Sequence, residues 1–285
     1  MRARAPASSA NLGPGYDTLA LALGLYIEAE VQPAEALEIT SEGEGAEIGR
    51  HDPENHLAAK VVRRVLGHDN VRISLRSDVP VGRGLGSSAS LAVAVAAAAG
   101  ADDPLLIGHE VDGHPENAAA SAMGGLVTAT SIDGRPVAHR LPLDEAIAFV
   151  VLVPTRHLPT KKAREALPAQ VDHADAVFNL GRMGLLIAGL ADHRLLVREA
   201  TEDRLHQPHR TPLFPESRDL LAGLLDAGAL ASCWSGAGPT LLALCTQASA
   251  EQVRRRGQEL MTEAGVGGEA LVLPADHQGL VVTDS

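Results

Sequence analysis

The residues best suited to chemistry run from Asp78 to Ala92, Asp-Val-Pro-Val-Gly-Arg-Gly-Leu-Gly-Ser-Ser-Ala-Ser-Leu-Ala. Gly82, Gly84 and Gly86 alternate, and Ser87 and Ser88 follow at once. Glycine lets the backbone take φ > 0 and come close to a ligand. The small apolar run after the serines reads as a helix, whose first turn offers unpaired N–H groups and the positive end of a dipole. Together these make an anion site, most usefully for phosphate, and point to a nucleoside triphosphate. Two familiar phosphate loops do not fit. A Walker A loop needs Gly-Lys-Ser/Thr, yet no lysine follows Gly86, and the chain holds only Lys60, Lys161 and Lys162. In a dinucleotide loop the third glycine comes one residue later.

Four other clusters carry polar groups at close spacing. Ala7–Asp17 sets Asn11 and Asp17 on a Gly/Pro-bent backbone. They could bind an amine or hydroxyl; taken alone, the segment reads as a turn held by side-chain hydrogen bonds. Glu110-Val-Asp-Gly-His-Pro-Glu-Asn117 gathers carboxylates, an imidazole and an amide. Its oxygens suit magnesium, which binds through one or two carboxylates plus substrate phosphates, although His114 by itself reads as a polar loop residue. Ser235-Gly-Ala-Gly-Pro-Thr240 reads first as a hairpin turn between apolar strands. Thr160 and Arg164 share a face if helical, and Arg210 ends the segment Glu202–Arg210. Arginine grips carboxylate or phosphate bidentately, though a single arginine is more often a solvated charge.

Elements must position these groups. Alternation predicts strands over 22–31, 36–40 and 71–76, the last feeding the glycine loop. Helical spacing covers 53–66 after an Asp52 cap, with a polar loop over 42–52 before it. The helix over 87–99 stops at Gly100. A helix over 115–123 precedes a strand over 126–132 that Asp133-Gly134 ends. Beyond a strand over 146–153, helices are expected from 164, over 172–190 and over 216–227. The tail reads strand 231–234, turn, strand 240–245, helix 250–263 and strand 270–274, an α+β unit with helices on one face of an antiparallel sheet.

Composition narrows the partners. Aromatics are 2% of 285 residues and the net charge is −12, so neither nucleic acid nor an anionic membrane is a natural partner. The partners expected are small molecules. Cys233 and Cys245 match no metal spacing and suit free thiols in a reducing cytoplasm. No apolar segment follows the basic start, and Leu91–Ala99 is too short to span a bilayer.

The motifs Ala-Asn-Leu-Gly-Pro-Gly-Tyr-Asp (10–17), Pro-Val-Gly-Arg-Gly-Leu-Gly-Ser-Ser-Ala (80–89) and Ser-Gly-Ala-Gly-Pro-Thr (235–240) occur in that order. In this the chain resembles the GHMP kinase superfamily. Gly-His-Pro-Glu-Asn (113–117), Thr160 with Arg164, and Asp-Arg-Leu-His-Gln-Pro-His-Arg (203–210) resemble its homoserine kinases in particular. The resemblance covers roughly residues 5 to 275. It implies an α+β fold of two domains, a ribosomal protein S5 domain 2-like unit over 1–145 and a ferredoxin-like unit over 146–285.

The resemblance implies that ATP lies on Pro80, Val81, Gly82, Arg83, Gly84, Leu85, Gly86, Ser87, Ser88, Ala89 and Ser90, with Asn55 near the adenine. It places Mg²⁺ on Asp112 or Glu110 with Ser88. The amino acid falls to Asn11, Asp17, His114, Arg164 and Arg210, with Asp17 on the amine and the arginines on the carboxylate. Asn117, Thr160 and Ser88 form the catalytic set, without a general base. The reaction implied is transfer of the γ-phosphoryl group of ATP to L-homoserine, a step of threonine biosynthesis. Some positions depart from the family pattern. Tyr16 stands where Phe is usual, Glu116 where Asp is common and Asp112 in a Glu slot, while Lys161 and Lys162 are atypical. Two alternatives stay open, a related kinase for another hydroxylated acceptor and a non-catalytic sensor of the same fold. A homodimer is one admissible state.

Overall fold

A hairpin of unequal arms starts the chain, β1 (Arg2–Asn11) and β2 (Gly15–Pro33). The structure, a computed structural model, describes residues 1–48 and 52–283, so three residues of the expected 42–52 loop fall outside the described chain. β3 (Glu38–Gly43), α1 (Leu57–Leu66), β4 (Val71–Ser77), α2 (Ser87–Ala98), α3 (Pro104–Asp112), α4 (Glu116–Met123), β5 (Leu126–Ile132) and β6 (Arg135–Leu141) follow. The second half contains β7 (Ile147–Pro154), α5 (Thr160–Glu165), α6 (His173–Ala191), α7 (Gln207–Arg210), α8 (Ser217–Asp226), β8 (Ala231–Trp234), β9 (Leu241–Thr246), α9 (Ala250–Glu263), β10 (Gly268–Leu273) and β11 (Val281–Thr283).

Two sheets result. The first runs β11-β1-β2-β4-β3, with β5 on β2 and β6 on β5. The second, β10-β7-β9-β8, is antiparallel throughout. Numbered within the second half its order is 4-1-3-2, the expected ferredoxin-like arrangement. The chain then returns, and β11 pairs with β1.

Burial explains the sequence patterns. β7 is buried along its whole length. Phe149, Val151 and Val153 join the main core, while Ala148, Val150 and Leu152 join a second core under α8 and α9. A strand covered on both faces has no polar side, hence the continuous apolar run. α2 carries Ala and Val on every face because it is enclosed, touching β1, β2, α1, α3 and α4. α6 is long and apolar enough to cross a membrane by length and composition; it packs Leu186 and Leu190 into the main core and leaves Val177, Leu180 and Leu185 exposed. Both cysteines are buried and free, and burial pushes their thiols up, that of Cys245 to about 12.

Local outcomes differ from the expectations in several places. The expected helix over 53–66 breaks: a 3₁₀ turn spans 53–55 under the Asp52 cap, and the His56 side chain caps α1. The 7–17 segment is the end of a strand and a hairpin tip, with a side-chain hydrogen bond of the expected kind from Asp17 N to Asn11 Oδ1. α3, β6, α7 and β11 lie where the sequence predicts no element.

Candidate active site

The glycine loop lies between β4 and α2, and its backbone polarity is sorted. Five consecutive carbonyls accept from outside the loop. Val81 O faces His157 Nδ1 at 3.0 Å, and Gly82 O accepts from Leu158 N at 3.1 Å. Arg83 O accepts from Thr240 N (3.1 Å), Gly84 O from Ser235 Oγ (2.7 Å) and Leu85 O from Ser8 N (3.1 Å). Among the described residues, no N–H of residues 82–88 donates a hydrogen bond to protein. With its carbonyls turned outward and its amides left free, the loop is built as an anion nest at the start of α2. Positive φ at Gly82, Gly84 and Gly86 makes this possible.

A cleft of ≈ 810 Å³ opens beside the loop, between the two halves of the chain. Val81, Gly82, Gly84, Gly86, Ser87 and Ser88 line one wall. Pro80, Leu85, Ala89 and Ser90 are buried behind it, and the Ser90 hydroxyl bonds back to Gly86 O and Ser87 O. Arg83 gives its carbonyl to Thr240 and does not line the cleft, and Asn55 is exposed outside it, bonded to Asp52. Another concavity, ≈ 610 Å³, lies on the outer face of the first sheet among alternating Arg and Glu side chains. It has no glycine loop and no helix N-terminus.

The opposite wall assembles Asn11, Asp17, His114, Asn117, Thr160, Arg164 and Arg210. The β1–β2 hairpin tip supplies the first two. Asn11 and Asp17 both have positive φ, which short polar side chains tolerate. Asn11 braces the tip, its Oδ1 accepting from Asp17 N (3.0 Å) and its Nδ2 donating to Gly236 O (2.9 Å). Arg164 forks onto Asp17, at 2.7 Å and 3.0 Å, and also donates to the Tyr16 hydroxyl at 2.8 Å. Burial, then the Asp17 charge, raises the Tyr16 pKa.

Arg210 is 1% exposed. It donates from Nε to Ala163 O (3.3 Å) and from Nη1 to Gly236 O (3.1 Å) and His206 Nδ1 (3.0 Å). Among the described residues no carboxylate forms an ion pair with it, and burial pulls its pKa down. The buried Ser8 hydroxyl donates to Asn117 Oδ1 at 2.8 Å, at the start of α4.

Glu110 and Asp112 part company. Both are on α3, two residues apart, so they lie on different faces. Glu110 forms a two-pronged pair with Arg64 on the outside (2.8 and 2.9 Å) and does not line the cleft. Asp112 lines it, as does Ser88. Burial pushes the Asp112 carboxyl above the usual range, against the pull of His114 and Ser88. A half-buried carboxylate and a hydroxyl at the end of a glycine loop fit magnesium, a hard cation that keeps waters and shares phosphate oxygens. His114 Nδ1 lies 2.7 Å from Glu116 Oε1 but out of line for a hydrogen bond. Burial opposes its charge, yet Glu116 and Asp112 hold its pKa up. Asp17, His114 and Glu116 also bring donor atoms within 4.8 Å of one another, but Arg164 already occupies both Asp17 oxygens.

Sequence reasoning did not single out Tyr16, Glu116 or His206 as site residues. The 235–240 segment is the expected hairpin turn between β8 and β9, and it also seats against the glycine loop.

Comparison with known proteins places the chain in a family and a fold. The GHMP kinases N terminal domain family matches residues 55–125, and the GHMP kinases C terminal family matches residues 185–263. The chain is 40% identical to a homoserine kinase of Thermus thermophilus over 94% of either chain. It is 40% identical to one of Streptomyces avermitilis over 99% of this chain and 95% of that one. The crystal structure of homoserine kinase from Cytophaga hutchinsonii superposes with a TM-score of 0.86 at 29% identity, covering 99% of this chain and 97% of that one. L. major mevalonate kinase in complex with R-mevalonate, at 16% identity and a TM-score of 0.71 over 95% of either chain, shares the fold.

Proposed function

The chain belongs to the homoserine kinases of the GHMP kinase family, and from that premise we propose how its own residues divide the work. The enzyme transfers the γ-phosphoryl group of ATP to L-homoserine, giving O-phospho-L-homoserine for threonine biosynthesis. The observation that carries the assignment of sides is the sorted polarity of the glycine loop, whose N–H groups have no protein acceptor and whose residues line the cleft. ATP phosphates belong there. The acceptor belongs on the Asp17, Arg164 and Arg210 wall, where one carboxylate and two guanidiniums match an ammonium and a carboxylate.

Phosphoryl transfer asks for positioning and charge stabilisation more than covalent help. The loop amides and the α2 dipole stabilise phosphate oxygens. Asp112 and Ser88 would hold magnesium, which supplies further charge neutralisation at the phosphates. Asn117, fixed by Ser8, and Thr160, at the start of α5, border the space between the two walls. His114 remains on the acceptor side beside Glu116. Arg164 and Asp17 pair with each other, and the zwitterion would satisfy the same charges, its carboxylate on the arginines and its ammonium on Asp17.

A coupled ADP-release assay over homoserine, serine, threonine, mevalonate and sugars tests the acceptor. Homoserine should lead. Serine, one methylene shorter, should fall by roughly 10- to 200-fold in kcat/KM, and acceptors without an amine further. Failure to release ADP with any acceptor in the panel, despite nucleotide binding, would leave a sensor instead.

The metal assignment has its own test. Asp112→Ala should raise the Mg²⁺ concentration for half-maximal rate by roughly 10- to 100-fold, the size of loss seen when a group supporting a metal site is removed. Glu110→Ala should leave it unchanged, since that residue only loses a solvent-exposed pair with Arg64 outside the cleft. The reverse pattern would exchange the two roles.

A further inference from the structure

Behind Arg210 lies a histidine that phosphoryl transfer does not use. His206 is 0% exposed. Its Nε2 is 2.8 Å from Gly13 O, and its Nδ1 is 3.0 Å from Arg210 Nη1. A guanidinium only donates, so Nδ1 accepts, and Nε2 must carry the proton that Gly13 O receives. The two partners therefore specify a neutral imidazole in one tautomer. Burial acts the same way, lowering the His206 pKa against the pull of Asp203, whose carboxylate lies 3.5 Å from Nε2.

The imidazole is held from several sides. Asp203 accepts from the Asn179 side chain (2.7 Å) and from the backbone amides of Leu205, His206 and Gln207 (2.8, 2.9 and 2.6 Å), fixing the turn that opens α7. The Tyr16 ring lies against it, with centroids 5.2 Å apart. Gly13 sits in the hairpin tip between Asn11 and Asp17, and a Cβ there would lie 2.3 Å from Thr201 O. One ring thus joins the tip that carries Asp17 to the guanidinium of Arg210.

We propose that His206 is a positioning residue for the acceptor, fixing Arg210 and the Asp17 tip at the separation that fits the carboxylate and ammonium of one α-amino acid. This rests on the assignment of Arg210 to the acceptor carboxylate. The side chain touches no reacting atom; it orients one group that binds substrate and tethers the loop that carries another.

Two variants split the two bonds. An asparagine amide falls near Nδ1, so His206→Asn can still accept from Arg210 but does not reach Gly13. A glutamine reaches the Nε2 position, so His206→Gln keeps the bond to Gly13 and leaves Arg210 without its acceptor. Both should raise KM for homoserine by roughly 5- to 100-fold, the span for a lost buried partner, with KM for ATP unchanged. Discrimination between homoserine and the amino alcohol lacking its carboxylate should shrink, most in His206→Gln. A residue that only fills the core would lower the melting temperature and the active fraction without moving KM or that ratio.

Arg210→Ala, run alongside, separates the two claims. If it leaves KM for homoserine unchanged, the assignment of Arg210 fails and this inference with it. If it raises KM while both His206 variants keep the wild-type KM and ratio, the inference alone is overturned. Should neither variant fold, ¹⁵N-histidine spectra of the wild-type chain decide. The His206 resonances, assigned through contact with the Tyr16 ring, must show Nε2 protonated and Nδ1 bare, and must shift with homoserine but not with a nucleotide analogue. Absence of that response overturns the proposal.

Discussion

Arg210→Ala is expected to raise KM for homoserine by roughly 30-fold to several thousand-fold, with KM for ATP moving by less than about twofold. Its cation is buried at 1% exposure with three hydrogen bonds, all to neutral acceptors, Ala163 O, Gly236 O and His206 Nδ1. Asp17, on the same wall of the cleft, is taken by Arg164. A buried charge without a counter-ion is costly, and an arriving carboxylate removes that cost as it binds. Truncating one partner of such a pair costs about 2–5 kcal/mol, roughly 30-fold to several thousand-fold in affinity. Arg210→Lys should fall between, because an ammonium lacks the planar fork that reaches two carbonyls and a carboxylate together. Comparable increases in both KM values would mean that the substitution disturbs the whole cleft, and the carboxylate role would fall. A thermal melt belongs beside the kinetics, since the substitution removes the Arg210 donors from Ala163 O and His206 Nδ1 and leaves Gly236 O with Asn11 Nδ2 alone.

The segments whose order was legible were those with a strong local signal. The glycine triplet before a small apolar run, the unbroken apolar β7 and the paired strands around 235–240 all declare themselves within a few residues. β1 does not. Residues 5–10 are buried and built from Ala, Ser and Pro, so the strand shows no alternation, and its end merges with the turn that the sequence predicts over 7–17. α3 is a different case, because its signals are present: Asp103 caps it, Pro104 occupies its first turn, and Gly113 ends it in the left-handed region. Reading 104–112 as a helix would have separated Glu110 from Asp112 before any coordinates, since neighbours two apart on a helix diverge by about 200°. β6 is a polar outer strand with mixed exposure, and its one clear signal was the Asp133-Gly134 turn before it.

The site was legible by residue but not by contact. Asn11, Asp17, His114, Asn117, Thr160, Arg164 and Arg210 do meet at one cleft. Sequence could not say that Arg164 and Asp17 rest on each other, or that His206 stands behind Arg210 and holds Gly13. Those contacts span 147, 4 and 193 positions, and even the four-residue one acquires meaning only through the distant one. The role of the 235–240 turn was hidden for the same reason. Its apparent business is to reverse β8 into β9, yet Ser235 and Thr240 take two carbonyls of a loop 151 and 157 positions away. The nucleotide loop of the first half therefore owes its shape to the second.

That interlock makes Gly84 the least replaceable residue of the loop. Its φ is +82°, and a Cβ would lie 2.3 Å from Ser235 O and 2.9 Å from Gly238 N, both backbone atoms of the facing turn. No side-chain rotamer relieves such a clash, so Gly84→Ala must part the two turns. The separation breaks the Ser235 Oγ bond to Gly84 O and disturbs the register that leaves the loop amides free. Misplacement by about 1 Å costs roughly 10²-fold, and loss of one preorganised donor roughly 10²–10³-fold. We therefore expect kcat/KM for ATP to fall by roughly 10³-fold. Gly134→Ala supplies the comparison. Its φ is +75°, so the backbone strain is similar, but nothing lies within 4 Å of its Cβ. It should cost about 1 kcal/mol of stability and leave turnover intact. Equal losses in the two variants would trace the Gly84 effect to φ strain alone; full activity in Gly84→Ala would mean that the two turns are not locked together.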